Sequence, residues 1–145
     1  DACYFQKYGY QVTALEPSKN LCRESRKVFS GEIICSDLQS YRPDQPFDGI
    51  WACASLLHLR EKEILHFFEK IDLYLKDNGL IYFSGKNGIA TGRAADGRYF
   101  LECTEQLVEK ILAANERMQL EELWYTEDVN ARKNFRWMNV IMEMG

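Results

Sequence analysis

Apolar residues recur along this chain in two alternating rhythms, a helical spacing near 3.6 residues and short runs bounded by turn residues, which predict helices and strands in turn. Ala2, Phe5 and Tyr8 open the chain at helical spacing, and Gly9 supplies a stop. Gln11 to Leu15 (QVTAL) is rich in β formers and predicts a strand. Ser18 is placed to cap a helix reaching Phe29, with Leu21, Cys22, Ser25 and Val28 inward and Lys19, Arg23, Arg26 and Lys27 outward. Gly31 ends that helix before a short apolar strand, Glu32 to Ser36 (EIICS). A polar, proline-containing loop from Asp37 to Pro46 leads to Phe47 to Ala54 (FDGIWACA), whose near-continuous apolarity predicts a strand buried on both faces.

From Arg60 to Leu75 the residues Ile64, Phe67, Phe68, Ile71 and Leu75 follow the helical period, with Glu61, Lys62, Glu69 and Lys70 outside. Asp77-Asn78-Gly79 is a turn into the strand Leu80 to Ser84 (LIYFS), after which Gly85 to Gly97 reads as a glycine-rich loop. Thr104 caps a helix to Asn115 with Leu107, Val108, Ile111 and Leu112 inward. Two strands close the chain, Met118 to Thr126 and Phe135 to Met144, and the stretch Glu127 to Asn134 between them is short enough for a hairpin.

Helices alternating with buried strands predict an α/β sandwich with a mostly parallel sheet, because parallel strands need crossover connections. The last two strands have no helix between them, so the sheet is expected to finish in an antiparallel hairpin. No repeat or linker interrupts the pattern, and 145 residues with 46% hydrophobic content fit one domain, residues 1–145.

Charge and cysteine usage narrow the function classes. A net charge of -4 is the opposite sign from a protein that holds nucleic acid through its overall field. The longest apolar runs are far shorter than a membrane span needs, so a soluble protein without a membrane partner is expected. Five cysteines, an odd number without CxxC spacing, read as free thiols in a reducing cytoplasm. His58 and His66 have no metal-ligand spacing with them, so no metal is expected, and His66 is given no role.

In open α/β sheets ligands bind beyond the carboxyl ends of the strands, which directs attention to Glu16, Asp37, Ser55 to His58, and Gly85-Lys86. A carboxylate at Glu16 can accept two ribose hydroxyls, and Asp37 can accept from an adenine amino group; either acid can instead simply cap the next helix. His58 follows a strand end and can take a proton near neutral pH. Lys86, Arg93 and Arg98 put positive charge at the same mouth, useful for an anionic substrate or equally a solvated surface. The loop GKNGIATG is no phosphate cradle, since Leu80 and Asn87 stand where that motif needs Gly and Ser or Thr. Trp51, Trp124 and Trp137 lie inside strands and read as core or sheet-face residues, with Trp137 also able to wall the cleft.

The order VTALEPS, CSDLQ, FDGIWACASLLHL and LKDNGLIYFSGK resembles the class I S-adenosylmethionine-dependent methyltransferases over nearly the whole chain. Within that superfamily DGRYF, TEDV and RWMNVIM resemble the small bacterial methyltransferases of the tellurite-resistance type. The resemblance implies a Rossmann-like methyltransferase sandwich, S-adenosylmethionine as cofactor and a small-molecule methyl acceptor. It implies that Glu16 holds the cofactor ribose, that Asp37 and Leu38 serve the adenine, and that Cys53, Ala54 and Ser55 run under the methionine part. His58 would face the reaction cleft as the catalytic residue, with Lys86 and Arg98 on the substrate side. The family's first strand and GxGxG loop would stand before Asp1, so the sequence is expected to be a fragment, with a vacant strand position between the Gln11 and Phe47 strands. Two other readings stay open: a noncatalytic binding or regulatory module on the same fold, and a nicotinamide-dependent oxidoreductase, against which the terminal hairpin argues.

Overall fold

Between Asp1 and Arg42 a helix, a strand, a second helix and a second strand follow one another in the computed structural model, which describes residues 1–130 and 134–145. They are α1 (Ala2–Lys7), β1 (Thr13–Leu15), α2 (Lys19–Ser25) and β2 (Glu32–Ile34). β1 and β2 pair in parallel with Ala14 opposite Ile33, and α2 makes the crossover that such a pair requires. Ser18 caps α2 as its residue type predicts: its backbone is extended and its Oγ accepts the Leu21 N–H at 3.3 Å. The helix stops at Ser25 rather than Phe29, which corrects its predicted inner face. Cys22 and Phe29 are buried, but Val28 falls out of helical phase and is 76% exposed. Leu21 is exposed too, because strands of three residues cover only one narrow strip of the helix.

Residues 43–145 form a second unit. It contains β3 (Phe47–Ala52), a single 3-10 turn (Leu56–His58), α3 (Glu61–Glu69), another such turn (Ile71–Leu73), and β4 (Leu75–Asn87). There follow β5 (Gly92–Arg93), β6 (Tyr99–Phe100), α4 (Glu105–Ala114), β7 (Met118–Glu127) and β8 (Arg136–Met144). The sheet order is β3-β4-β8-β7. β3 pairs in parallel with β4, whereas β8 is antiparallel to both β4 and β7. Three strands therefore run one way and β8 the other, a mixed sheet that ends in the antiparallel hairpin the pattern predicts. Residues 131–133 of the segment joining β7 to β8 lie outside the described residues.

The pleat of this sheet separates two kinds of surface. On one face Ile81 and Phe83 of β4 stand opposite Met142 and Val140 of β8, all buried, and the Phe68 ring of α3 lies 5.8 Å from Phe83. Leu107, Val108 and Ile111 of α4 are buried as well, and α4 begins where Thr104 Oγ1 accepts the Leu107 N–H at 3.1 Å. All four methionines, Met118, Met138, Met142 and Met144, belong to this core, none more than 4% exposed. On the other face Trp51 stacks on Tyr82 at 4.1 Å, Trp124 lies 6.2 Å beyond, and the Tyr82 hydroxyl donates to Asn139 Oδ1 at 2.7 Å.

Three predicted features are corrected here. β3 is not buried on both faces: it is the end strand of its sheet, and Trp51 is 49% exposed. α3 ends at Glu69, where Lys70 leaves helical geometry (φ −114°, ψ 22°) and the tighter turn after it keeps Ile71 and Tyr74 inward. The segment Gly85 to Gly97 is not one loop, since β4 continues to Asn87 and β5 pairs with β6 in a small hairpin. Among the described residues no helix is long and apolar enough to cross a membrane.

Gly85 is required where β4 passes α4's leading segment, because a Cβ there would lie 2.7 Å from the Cβ of Cys103. Burial, with the Glu102 charge adding to it, pushes the Cys103 thiol up to about 12 from an ordinary 9.0. The folded state thus holds the proton more tightly than the unfolded chain, so this thiol's contribution to stability is intact below pH 9.0 and is lost as pH rises towards about 12. Denaturant midpoints measured across that window should fall with pH, and the fall should be shallower in Cys103→Ala; equal slopes would remove the assignment.

Candidate active site

Because β3 and β4 are parallel and β8 is antiparallel to β4, the ends of β3 and β4 and the start of β8 share one edge of the sheet. Cys53 to His58, Ser84 to Asn87, and Arg136-Trp137 therefore come together there. The turn out of β3 must reverse within a few residues, because Leu56 and Leu57 directly after it are buried. Ala54 makes the reversal at φ 52°, a left-handed conformation unfavourable to any residue with a Cβ. Its N–H donates to Ser84 Oγ at 3.0 Å, and the Ser84 hydroxyl lies 3.7 Å from Cys53 Sγ. Ser84 is itself buried, so it anchors the turn from below. The sequence pattern showed Ser84 only as the last residue of a strand.

His58 stands at the end of that turn, exposed, with Nδ1 3.0 Å from the Tyr99 carbonyl oxygen. A carbonyl can only accept, so Nδ1 carries the hydrogen, and in the neutral ring Nε2 is then the nitrogen with a free lone pair. The imidazole also packs on Phe100, ring centres 4.8 Å apart. Phe100 is the hub of the cluster. Lys86 Nζ lies 4.4 Å from its centroid and the Arg98 guanidinium 5.2 Å, so one ring gathers three of the candidate side chains. Lys86 also lies 4.7 Å from the Phe135 ring and 5.9 Å from Trp137. Phe100 and Phe135 were not recognised from the pattern as site residues; the signal was DGRYF, where an apolar pair closes a polar turn.

The two cations differ in what they face. Arg98 Nε is 2.7 Å from Asp96 Oδ2, and the Arg98 N–H donates to Asp96 Oδ1 at 3.0 Å. Those hydrogen bonds from the Arg98 backbone and side chain hold the Asp96 carboxyl below its usual range. Lys86 has no carboxylate partner among the described residues. Arg93 Nη1 donates to the Gly97 carbonyl at 2.8 Å within the small hairpin. His66 pairs with Glu69 on α3 at 3.5 Å, and among the described residues no group of three or more His, Cys, Asp or Glu is arranged to hold a metal ion.

In the first unit Glu16 and Asp37 follow the parallel strands β1 and β2, and the Glu16 N–H donates to the Ile34 carbonyl at 3.0 Å. Glu16 Oε1 accepts the Ser18 N–H at 2.9 Å, which is partly the helix-capping role that the sequence left open. Its other oxygen has no hydrogen bond among the described residues. Asp37 Oδ1 accepts the Ser40 N–H at 2.7 Å. Bonds from the Ser40 backbone and side chain hold the Asp37 carboxyl below the ordinary range, so it is ionised at neutral pH. Leu38 beside it is half-buried. The predicted set thus divides into Glu16, Asp37 and Leu38 in one unit and Cys53, Ala54, Ser55, His58, Lys86 and Arg98 in the other.

Residues 1–83 match a protein-family model described as a methyltransferase domain. The fold is similar to that of a SAM-dependent methyltransferase from Methanosarcina mazei, with 14% identity and a TM-score of 0.79 over 98% of this chain and 85% of that one. It is also similar to 1,6-didemethyltoxoflavin-N1-methyltransferase from Burkholderia thailandensis, solved with 1,6-didemethyltoxoflavin and S-adenosylhomocysteine. There the identity is 17% and the TM-score 0.73, over 98% of this chain and 64% of that one. The N-methyltransferase NodS from Bradyrhizobium japonicum, in complex with S-adenosylhomocysteine, aligns at 12% identity and TM-score 0.67 over 99% of this chain and 72% of that one. At such identities the likeness is one of fold. No curated protein matches the chain in sequence.

The left-handed Ala54 carries a cost of about 1–2 kcal/mol that glycine would not, offset by about 0.4–1 kcal/mol of added freedom in the unfolded chain. Ala54→Gly should therefore hold or raise the urea midpoint, whereas Ala54→Val should lower stability by roughly 1–3 kcal/mol. A glycine variant less stable than the parent by more than about 1 kcal/mol would contradict the strained turn.

Proposed function

The chain belongs to the methyltransferase domain family, and we propose that it transfers a methyl group from S-adenosylmethionine to a nucleophile on a small molecule. The observation that carries the reading is the extent of the family match, since residues 1–83 include Glu16, Asp37, Leu38, Cys53, Ala54, Ser55 and His58. S-adenosylhomocysteine in the Burkholderia and Bradyrhizobium structures supports the cofactor, and 1,6-didemethyltoxoflavin in the former supports a small acceptor. The finer affiliation is with the small bacterial enzymes of the tellurite-resistance type, acting in the cytoplasm.

The residues present fit that cofactor. Glu16 keeps one carboxylate oxygen uncommitted, the acceptor that ribose hydroxyls require. Asp37, ionised and held by Ser40, would accept from the adenine amino group, and the half-buried Leu38 would give the base an apolar neighbour. The turn Cys53-Ala54-Ser55, fixed by Ser84, would support the methionine part. Glu16, Asp37 and Leu38 belong to the first unit, and Cys53, Ala54 and Ser55 to the second. When bound, S-adenosylmethionine supplies an electrophilic methyl carbon on a sulfonium.

His58 Nε2 takes the proton that the acceptor gives up as it is methylated, while the Tyr99 carbonyl fixes the ring through Nδ1. Lys86 offers its positive charge to an anionic acceptor, and Arg98, ion-paired with Asp96, lines the same mouth. The remaining task of the protein is alignment and exclusion of water.

Two measurements test the assignments. By calorimetric titration Glu16→Ala should weaken S-adenosylmethionine binding by about 1.5–3 kcal/mol, the range for hydrogen bonds to a charged group, and Asp37→Asn should cost less. Unchanged affinity in Glu16→Ala would remove the ribose assignment. With an acceptor found by screening for S-adenosylhomocysteine release, His58→Ala should slow methyl transfer by about a hundredfold or more while leaving cofactor affinity nearly unchanged. A variant that matches the parent in both returns His58 to a structural role.

A further inference from the structure

We infer that Lys86, not Arg98, is the cation that selects the acceptor, and that what it selects is a single carboxylate on a flat, apolar body. The inference rests on the methyl-transfer reading and names the substrate class of that same site.

Both cations lean on the Phe100 ring, but only one has charge to spare. Arg98 is matched by Asp96 at 2.7 Å through its own turn. Lys86 Nζ faces three ring systems, Phe100, Phe135 and Trp137, at 4.4 to 5.9 Å. Rings hold an ammonium by their quadrupoles but do not satisfy its three N–H donors, and among the described residues no hydrogen-bond acceptor does so either. A half-buried ammonium flanked by apolar rings gains more from an arriving anion than a fully solvated one, because the rings exclude part of the screening water.

The number of unspent charges argues for a carboxylate rather than a phosphate. Among the described cations on the Phe100 ring, Lys86 is the one without a carboxylate partner, and one ammonium matches one negative charge. Phe135 also lines an open cleft of about 300 Å³, together with Asn87, Gly88, Glu127, Asn134 and Arg136. Arg136, 3.2 Å from the neutral Asn87 Oδ1 and 3.6 Å over the Tyr125 ring, keeps its charge there, but its cross-strand partner Glu127 brings the opposite charge to the same cleft. The flat faces of Phe135 and Trp137 beside the ammonium favour a planar apolar body. A cationic acceptor is refused, because Lys86 already occupies the position over the rings that a cation would take.

Benzoate, benzamide and benzylamine share one ring and differ in charge, so they are the probes. In ligand-observed NMR titrations of the protein, benzoate should bind about tenfold or more tightly than benzamide, and benzylamine should not bind. The preference should vanish in Lys86→Gln, persist in Lys86→Arg and persist in Arg98→Gln, with thermal midpoints confirming that each variant is folded. Equal binding of benzoate and benzamide, no benzoate binding at millimolar concentration, binding of benzylamine, or loss of the preference in Arg98→Gln alone would each overturn the inference. S-adenosylhomocysteine titrated into the same proteins separates the two readings. Cofactor that fails to bind defeats the methyl-transfer reading, while the carboxylate preference stands or falls on the probes.

Discussion

The alternation of side chains along β4 is the constraint on which the second unit depends. A strand turns successive residues to opposite faces, so Ile81, Phe83 and Gly85 are committed to the helices, and Tyr82, Ser84 and Lys86 to the other side. Each commitment has a chemical result. Phe83 meets Phe68, Gly85 admits Cys103, Ser84 holds the turn at Ala54, and Lys86 arrives beside its cross-strand partner Trp137. A slip of one residue would exchange all of these at once, so core and site share one register.

At the end of that strand a buried aromatic ring performs an organising task usually given to hydrogen bonds. Phe100 offers no donor or acceptor, yet His58, Lys86 and Arg98 are all positioned against it. A ring face attracts cations without neutralising them, so their charge remains usable. What distinguishes Lys86 from Arg98 is then not the ring but the nearby carboxylate of Asp96, two residues from Arg98 in the same tight turn.

The long elements were legible because their periodicity has a direct physical cause. α4, β7 and β8 fall within one or two residues of the predicted limits, since Thr104 caps and the apolar residues of β7 and β8 alternate in long runs. The small hairpin was not legible, because strands of two residues at Gly92 and Tyr99 are too short to carry a period. The exposure of Leu21 and Trp51 was hidden for another reason: apolarity states what a residue can bury, not whether a neighbour arrives to bury it. The positions of Glu16, Asp37, Ser55 and His58 just beyond strands were legible, because turn residues mark where each strand stops. Phe100 and Ser84 escaped because their roles exist only through contacts with residues 42 and 30 positions away, His58 and Ala54, and no local pattern encodes those.

The placement of methionine gives this chain a built-in chemical record of its own opening. All four thioether sulfurs lie in the core between β7, β8 and the helices, so an oxidant in solution meets none of them while the strands stay paired. A sulfoxide formed during a transient opening would be too polar to return to that core without cost, so oxidative damage would accumulate as molecules unable to close again. For its methionines, resistance to oxidation is thus set by how rarely the β7–β8 hairpin parts rather than by the reactivity of any thioether, whereas the thiols of Cys3, Cys35 and Cys53 are already exposed.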